Sequence, residues 1–426
     1  MPNPRKSAGK ALIKVESDGG FSNLVIDNVI KQDGLVGADS ALATALFYGV
    51  LDRKITIDYI LSKYSKQPIK KLPYYVAAAL RIGVFQLLYM DKIPSFAAIN
   101  ESVNLVKRSK NSNSSGYVNA VLRNVDREGN NSLPDDDSVK SISIRYSFPE
   151  WIVARFVNQF GVEKTKEIFT EMLKKSDVYL RVNNTKISTD ELIEKLHDEG
   201  VETEKTDIEN GLKVISQSGA IDGLSAYKNG YFHVQDLSSQ ICVASLDLKD
   251  NMRVLDICAA PGGKTFTAAE IMNGTGEIIS CDLYEHRVKL ISNGAKRLSL
   301  KNVKTFVADA SIYNGELGEF DRVLCDAPCS GLGIMGRKPD IKYKNEYEIK
   351  DLPEIQYNIL ENAAKYVKPN GKIVYSTCTI LREENEDVFD RFISLNPHFK
   401  AISTQTILPS EKGGDGFFIA VAERID

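Results

Sequence analysis

The sequence predicts a multidomain protein in three parts: an all-helical front, a small α+β subdomain and a doubly wound α/β core. Three observations carry that expectation. Apolar residues recur at helical spacing from Phe21 to about Arg127, a polar stretch over residues 128–138 breaks all periodicity, and from about residue 236 short apolar runs alternate with helical segments. At 426 residues the chain has length for two or three domains, each able to bury its own core.

In the front, residues 1–130, Leu24, Ile26, Val29 and Ile30, then Leu42, Leu46, Phe47, Val50 and Leu51, mark apolar helical faces. The run from Leu72 to Tyr89 is apolar almost all round, which predicts the central helix of a bundle with its tyrosines in the core. After Pro94, Ser95 caps a further helix through Ala97–Val103, and another runs through Gly116–Arg123. The stretch from Glu128 to Ser138 reads as an interdomain linker, with a boundary near 128–139. Residues 140–235 mix a helix containing Trp151, Ile152, Phe156 and Phe160 with short strands such as Tyr179–Val182, hence a small α+β subdomain. In residues 236–426, strand-like runs at Arg253–Ile257, Glu277–Cys281, Val303–Val307, Arg322–Cys325 and Lys372–Tyr375 predict a mainly parallel sheet. Ligands of such sheets sit beyond the carboxyl ends of the strands, where Asp256, Asp282, Asp309 and Asp326 fall.

The net charge of −3 conceals an asymmetry: residues 1–127 carry 18 Lys/Arg against 10 Asp/Glu, and the remainder 36 against 47. A basic module joined to an acidic one points to a polyanion partner, with a merely solvated basic face as the plain alternative. The six cysteines, Cys242, Cys258, Cys281, Cys325, Cys329 and Cys378, show no paired CxxC spacing, so neither disulfides nor a metal is expected. The first residues lack the apolar stretch of a signal peptide, and no run of about 18 apolar residues suggests a membrane span. A cytoplasmic monomer is expected.

The run from Val254 to Lys264 reads as a cofactor loop, in which Gly262 and Gly263 allow a sharp turn and close approach of backbone to a ligand before a helix. A dinucleotide loop would read GxGxxG, and this one does not, although Asp282 suits a ribose diol. A P-loop requires a glycine where Cys258 stands, so Gly263-Lys264-Thr265 is a near miss. S-adenosylmethionine has no phosphate and carries a sulfonium cation, so a loop flanked by carboxylates suits it better. On that reading Asp282 bonds the ribose hydroxyls, Asp309 lies near the adenine and Asp326 faces the methionyl end; each aspartate alone is equally a strand-end cap.

Two thiols follow, Cys329 in Asp326-Ala-Pro-Cys329 and Cys378 in Ser376-Thr-Cys378. Carbon 5 of a pyrimidine is a poor nucleophile. A thiolate that adds to carbon 6 creates an enamine able to attack the sulfonium methyl, and the thiol must later be eliminated. Cys329 and Cys378 suit those two jobs, and Asp326 is placed to hydrogen-bond the ring nitrogen that gains electron density. The other four cysteines read as small buried hydrophobes.

With these motifs in view, residues 236–426 resemble the RNA 5-methylcytosine methyltransferases of the Nop2/Sun type: Cys258-Ala-Ala-Pro-Gly-Gly-Lys264 resembles their cofactor loop, Asp326-Ala-Pro-Cys329 their Pro-Cys motif and Ser376-Thr-Cys378 their Thr-Cys motif. Residues 1–127 resemble the NusB-like RNA-binding helical domain, notably over Ile93–Val103 and Gly116–Arg123, and residues 140–235 the subdomain that precedes the family's catalytic core. The resemblance implies a NusB-like helical domain followed by a small α+β subdomain and a Rossmann-like S-adenosylmethionine-dependent methyltransferase core. It implies that Cys378 is the nucleophile, that Cys329 assists breakdown of the covalent adduct, and that cofactor contacts run along Cys258, Ala259, Ala260, Pro261, Gly262, Gly263 and Lys264 and at Asp282, Asp309 and Asp326. It further implies 16S ribosomal RNA, naked or in an assembling small subunit, as substrate. Gly336–Lys342 follows the Pro-Cys loop, and Lys338 is the preferred RNA contact, against a plain surface-loop reading. Two rivals stand beside this reading: an RNA-stimulated P-loop ATPase, disfavoured by Cys258, and a non-enzymatic RNA adaptor, disfavoured by intact Cys329 and Cys378.

Overall fold

The computed structural model describes residues 3–18, 22–129, 133–217, 219–409 and 414–426. Its contacts divide the chain into two compact units, residues 1–173 with 338–344, and residues 174–337 with 345–426.

The first unit is helical: α1 (Pro4–Asp18), α2 (Ser22–Asp33), α3 (Gly37–Tyr64), α4 (Tyr74–Tyr89), α5 (Ser95–Lys107), α6 (Ser115–Glu128), α7 (Val139–Tyr146), α8 (Glu150–Phe160) and α9 (Val162–Met172). Prolines set two of the starts. Pro73 and Pro94 precede α4 and α5 directly, their fixed φ leading into the first turn. As the sequence predicts, α4 is central, with Val76 to Val84 buried in succession. Of its tyrosines, Tyr75 and Tyr89 pack against the core as expected, and Tyr74 differs: it is 56% exposed because it opens the helix, before the packed turns begin. The polar stretch 128–138 joins α6 to α7 within this unit, and residues 130–132 of it lie outside the described ones. Helices α7–α9 thus group with the front helices and not with the strands that follow. Thr56 Oγ1 on α3 donates to Ile144 O at 2.6 Å, and Ser147 Oγ accepts from Ile55 N at 3.1 Å. Polar composition marked an exposed connection, and these bonds across it explain why the helices stay together.

Residues 338–344 belong to the same unit, and Lys342 is completely buried there. Its Nζ lies 2.6 Å from Asp52 Oδ1 and 3.9 Å from the centre of the Phe148 ring. Burial holds the lysine below its ordinary pKa, against the opposing pull of Asp52. Removing one partner of a buried pair strands the other charge. Asp52→Ala is therefore expected to cost about 3–5 kcal/mol in urea unfolding of the full chain, and Lys342→Met less, because Asp52 is part exposed and keeps Arg53 Nε at 3.7 Å. A loss below about 1 kcal/mol for Asp52→Ala, the scale of an exposed pair, would contradict the pairing.

The second unit opens with β1 (Val178–Val182), α10 (Thr189–Asp198), β2 (Val201–Lys205), β3 (Gly211–Gln217), α11 (Ser225–Lys228) and β4 (Phe232–Val234), the strands forming an antiparallel sheet in the order β2-β3-β1-β4. A capping box between Ser188 and Glu191 starts α10. Then follow α12 (Leu237–Ala244), β5 (Arg253–Asp256), α13 (Gly263–Ile271), β6 (Glu277–Asp282), α14 (Glu285–Leu298), β7 (Val303–Val307), β8 (Phe320–Asp326), α15 (Leu352–Ala364), β9 (Val367–Thr377), α16 (Glu386–Leu395), β10 (Phe399–Ile407) and β11 (Phe417–Arg424).

The large sheet runs β10-β11-β9-β8-β5-β6-β7. Strands β5 to β9 pair in parallel, whereas β11 pairs antiparallel with β9 and with β10, so the sheet is mixed. Successive strand residues feed opposite faces. Leu255, Ile279, Val323 and Ile373 pack with α15 and α16, and their neighbours Val254, Ile278, Leu324 and Val374 with α12, α13 and α14. The antiparallel pair at the carboxyl end was not anticipated. Six consecutive residues of β10, Lys400 to Gln405, are exposed, so between buried Phe399 and Ile407 this edge strand shows no apolar alternation.

Candidate active site

Strands β5, β6 and β8 end on Asp256, Asp282 and Asp326, and β9 ends one residue before Cys378. The loop after β5 is stitched to its neighbours: Ile257 N donates to Leu324 O at 3.0 Å and Ala259 N to Cys281 O at 2.8 Å. Gly262 precedes α13 at φ 110°, a conformation that strains any residue with a side chain, and a Cβ there would lie 2.4 Å from the Phe266 ring.

Asp282, 3% exposed, braces this loop: Oδ2 accepts from Ala260 N at 3.3 Å and lies 3.3 Å from Arg287, whose second amino group donates to Ala260 O at 3.0 Å. Asp309 is exposed two residues past β7. Hydrogen bonds from the Ser311 hydroxyl and N–H hold its carboxyl below the usual range. Asp256, which the sequence places at a strand end without a task, is buried. Its Oδ2 accepts from Thr265 Oγ1 at 2.7 Å while Oδ1 has no partner among the described residues, and burial pushes its pKa up to about 7.

The two thiols meet. Parallel pairing sets Asp326 of β8 opposite Ser376 of β9, so the loops leaving these strands run side by side. Cys329 Sγ and Cys378 Sγ lie 3.2 Å apart. Ala327 N donates to Ser376 O at 3.0 Å, Gly333 N to Cys378 O at 3.0 Å, and Ser330 Oγ to Thr379 Oγ1 at 3.0 Å, locking one loop to the other. The contact with Cys378, then burial, pushes the Cys329 thiol well above its ordinary value. Asp326 Oδ1 accepts from Ser376 Oγ at 2.8 Å and Oδ2 from Lys264 Nζ at 2.7 Å. Burial alone would lower the Lys264 pKa, and the Asp326 carboxylate overrides it and raises it. Lys264 thereby ties the cofactor loop to the Pro-Cys loop.

Cys242, Cys281 and Cys325 are buried and Cys258 half-buried. Burial raises all four, Cys242 and Cys281 to about 12, as inert packing thiols require. Lys338 is exposed and belongs to the first unit, so it is not one of the residues the second unit gathers. Sequence reasoning takes Glu384 only for the start of the helix after the Thr-Cys loop, with no catalytic role, and does not single out Gln356. Glu384 Oε2 accepts from Ser330 N at 2.8 Å and from Gln356 Nε2 at 2.9 Å, directly behind Cys329. A glutamate six positions past Cys378 looks like any helix-entry acid in the sequence, and only the tertiary contact distinguishes it. No group of metal-ligating side chains and no helix able to cross a membrane occurs among the described residues.

A mixed seven-stranded sheet of this order, with a glycine turn after β5 and two thiol loops beside it after β8 and β9, defines a Rossmann-like methyltransferase. Family models agree: the 16S rRNA methyltransferase RsmB/F model matches residues 243–422, the NusB family model residues 2–127, and an RsmF/B-like ferredoxin-like domain residues 148–220. The chain is 39% identical to the probable ribosomal RNA small subunit methyltransferase B of Bacillus subtilis (strain 168), over 97% of each chain. It is 32% identical to the ribosomal RNA small subunit methyltransferase B of Photorhabdus laumondii, over 98% of each. Among solved structures, that of PH0851 superposes with a TM-score of 0.83 at 26% identity, covering 100% of this chain and 99% of that one. A methyltransferase homolog protein from Pyrococcus horikoshii superposes at 0.61 with 27% identity, covering 68% of this chain and 100% of that one. The chain belongs to the ribosomal RNA small subunit methyltransferase B family.

Proposed function

We infer that this ribosomal RNA methyltransferase uses S-adenosylmethionine to methylate carbon 5 of a cytosine in 16S rRNA, through a covalent adduct between Cys378 and carbon 6 of the base. The observation that carries the reading is the 3.2 Å approach of Cys329 and Cys378 at the ends of adjacent strands, beside the loop of residues 258–264. Attack and release at one carbon call for two thiols within reach of the same base.

The donor set suits the cofactor. Carboxylates at four strand ends, one of them with a bare buried oxygen, offer acceptors to ribose hydroxyls and an ammonium, and the backbone of a glycine turn leaves room for close approach. Asp282 and the backbone of residues 258–263 would hold it, with Asp309 toward the adenine and Asp326 toward the methionyl end. Bound there, it supplies an electrophilic methyl on a sulfonium. The Cys378 thiolate adds to carbon 6 of the cytosine, the electron pair moves to carbon 5, and carbon 5 takes the methyl. Loss of the carbon 5 proton to solvent then restores the 5,6 double bond as the carbon 6–sulfur bond breaks and Cys378 leaves as a thiolate, with Cys329 assisting. Asp326 retains lone pairs beyond those given to Lys264 and Ser376, and a protonated ring nitrogen would donate to one of them. The target base must be unstacked to reach these groups.

The test is methyl transfer from labelled S-adenosylmethionine to unmethylated 16S rRNA, followed by bisulfite sequencing. One newly protected cytosine is the expected result. Label incorporated with no cytosine protected moves the chemistry to an exocyclic amine or a ribose. No incorporation into naked RNA or small subunits favours the adaptor.

A further inference from the structure

The loop that carries Cys329 is held from behind by a single buried acid. Glu384, 1% exposed, sits in the short turn before α16, where its backbone oxygen accepts from Tyr375 Oη at 2.5 Å. Its Oε2 accepts from Ser330 N at 2.8 Å and from Gln356 Nε2 at 2.9 Å. That same Gln356 nitrogen donates to Pro328 O at 2.9 Å. Cys329 is therefore clamped through the backbone of both its neighbours. The other oxygen, Oε1, has no hydrogen-bond partner among the described residues.

A buried carboxylate with a bare oxygen costs free energy that a neutral glutamine, which offers the same acceptor to Ser330 N, would largely avoid. The acid calls for a task that its charge performs. Two thiols 3.2 Å apart present one, because they titrate as a pair and the charges around them decide which gives up its proton. Negative charge beside one thiol disfavours its thiolate. Cys329 is raised by its contact with Cys378, by burial and by the charge of Cys378, and then by the charges of Glu384 and Asp326.

We propose that Glu384 is a positioning residue that assigns the two thiols their roles: it anchors the backbone on either side of Cys329, and its charge keeps the proton of the pair on Cys329, leaving Cys378 as the attacking thiolate. This rests on the covalent reading above, and it is tested without RNA or methyl donor so that the two stand or fall separately.

The measurement is iodoacetamide alkylation of the full-length protein from neutral to alkaline pH, with each cysteine followed by peptide mass spectrometry. In the wild type Cys378 is alkylated first. Glu384→Gln keeps the shape and the acceptor but loses the charge, so alkylation of Cys329 is expected to rise roughly tenfold relative to Cys378, the equivalent of one pKa unit. Glu384→Asp keeps the charge but is one methylene too short to hold Ser330 N, so Cys378 stays first. An unchanged ratio in Glu384→Gln overturns the proposal, as does an equal rise at both thiols in both variants, which is what simple loosening of the loop produces. Melting curves report whether each variant is folded. Should the glutamine variant fail to fold, loss of the Cys378 preference in the aspartate variant overturns the proposal and its retention upholds it. If the alkylation pattern holds while no cytosine is protected from bisulfite, the thiol assignment stands and the carbon 5 reading fails.

Discussion

Incubated with S-adenosylmethionine and unmethylated small-subunit RNA, the Cys329→Ala protein is expected to accumulate an RNA-linked species that survives a denaturing gel. Cys378→Ala and the double variant give none. The two loops are tied through Ala327, Ser330 and Gly333, so deleting one sulfur leaves the other in place. With Cys378 present, attack on carbon 6 and methylation at carbon 5 both proceed, and the reaction stalls at the release that Cys329 assists. With Cys378 absent no adduct forms, and turnover falls on the order of a thousandfold or more, as for loss of a nucleophile elsewhere. The reaction is kept under reductant, since thiols 3.2 Å apart are placed to oxidise to a disulfide. Absence of the band in both single variants, while the wild type still methylates RNA, would remove both roles.

Gly333→Ala is expected to lower turnover by about 100-fold, the scale that a displacement of about 1 Å at reacting groups produces, while leaving cofactor affinity nearly unchanged. Three stretches of backbone meet at Gly333. Its N–H donates to Cys378 O at 3.0 Å and its carbonyl accepts from Gly416 N at 2.9 Å. A Cβ there would lie 2.1 Å from Gly416 O and 2.8 Å from Cys378 O, with no flexible side chain to yield. The backbone at the crossing has to shift, and the bond from Gly333 N passes that shift to Cys378 O. The cofactor loop, residues 257–264, is fastened to Leu324, Cys281 and Asp282, and its tie to the Pro-Cys loop, Lys264 to Asp326, lies at the end of β8, seven residues before that crossing. Titration calorimetry with S-adenosylmethionine alongside single-turnover rates separates the two effects, and equal losses in both would show that the crossing supports the whole site.

The legibility of this chain differs by element. Strands β5, β6 and β8 and helix α4 were readable because burial on both sides, or all round, leaves an apolar run that only one kind of element explains, whereas β7 is a largely exposed edge strand read from Val303, Phe306 and Val307 alone. Strand β10 was not, because its exposed middle, Lys400 to Gln405, sets Ala and Ile side by side among Lys, Ser, Thr and Gln with no alternation. The same division holds in the site. Cys329, Cys378 and Asp326 stand in short loops at strand ends, where residue type and place already suggest chemistry. Glu384 acts through a hydrogen bond to Ser330, 54 residues away in sequence, and no spacing announces it. Asp282 was expected to face the ribose. What the structure shows is a brace to Ala260, which depends on the turn bringing the N–H back to the carboxylate.

Lys342 gives the chain an unusual genetics. Residues 338–344 are encoded within the catalytic half yet fold as part of the helical unit, with Lys342 sealed against Asp52 and Phe148. No single cut in the gene releases either module intact: a fragment ending at residue 173 leaves the Asp52 carboxylate without its counter-charge, and a fragment beginning there carries a lysine whose burial site has been left behind. Insertions and gene fusions placed in the polar stretch at 128–138 meet the same obstacle, because the helices on either side of it pack in one compact unit.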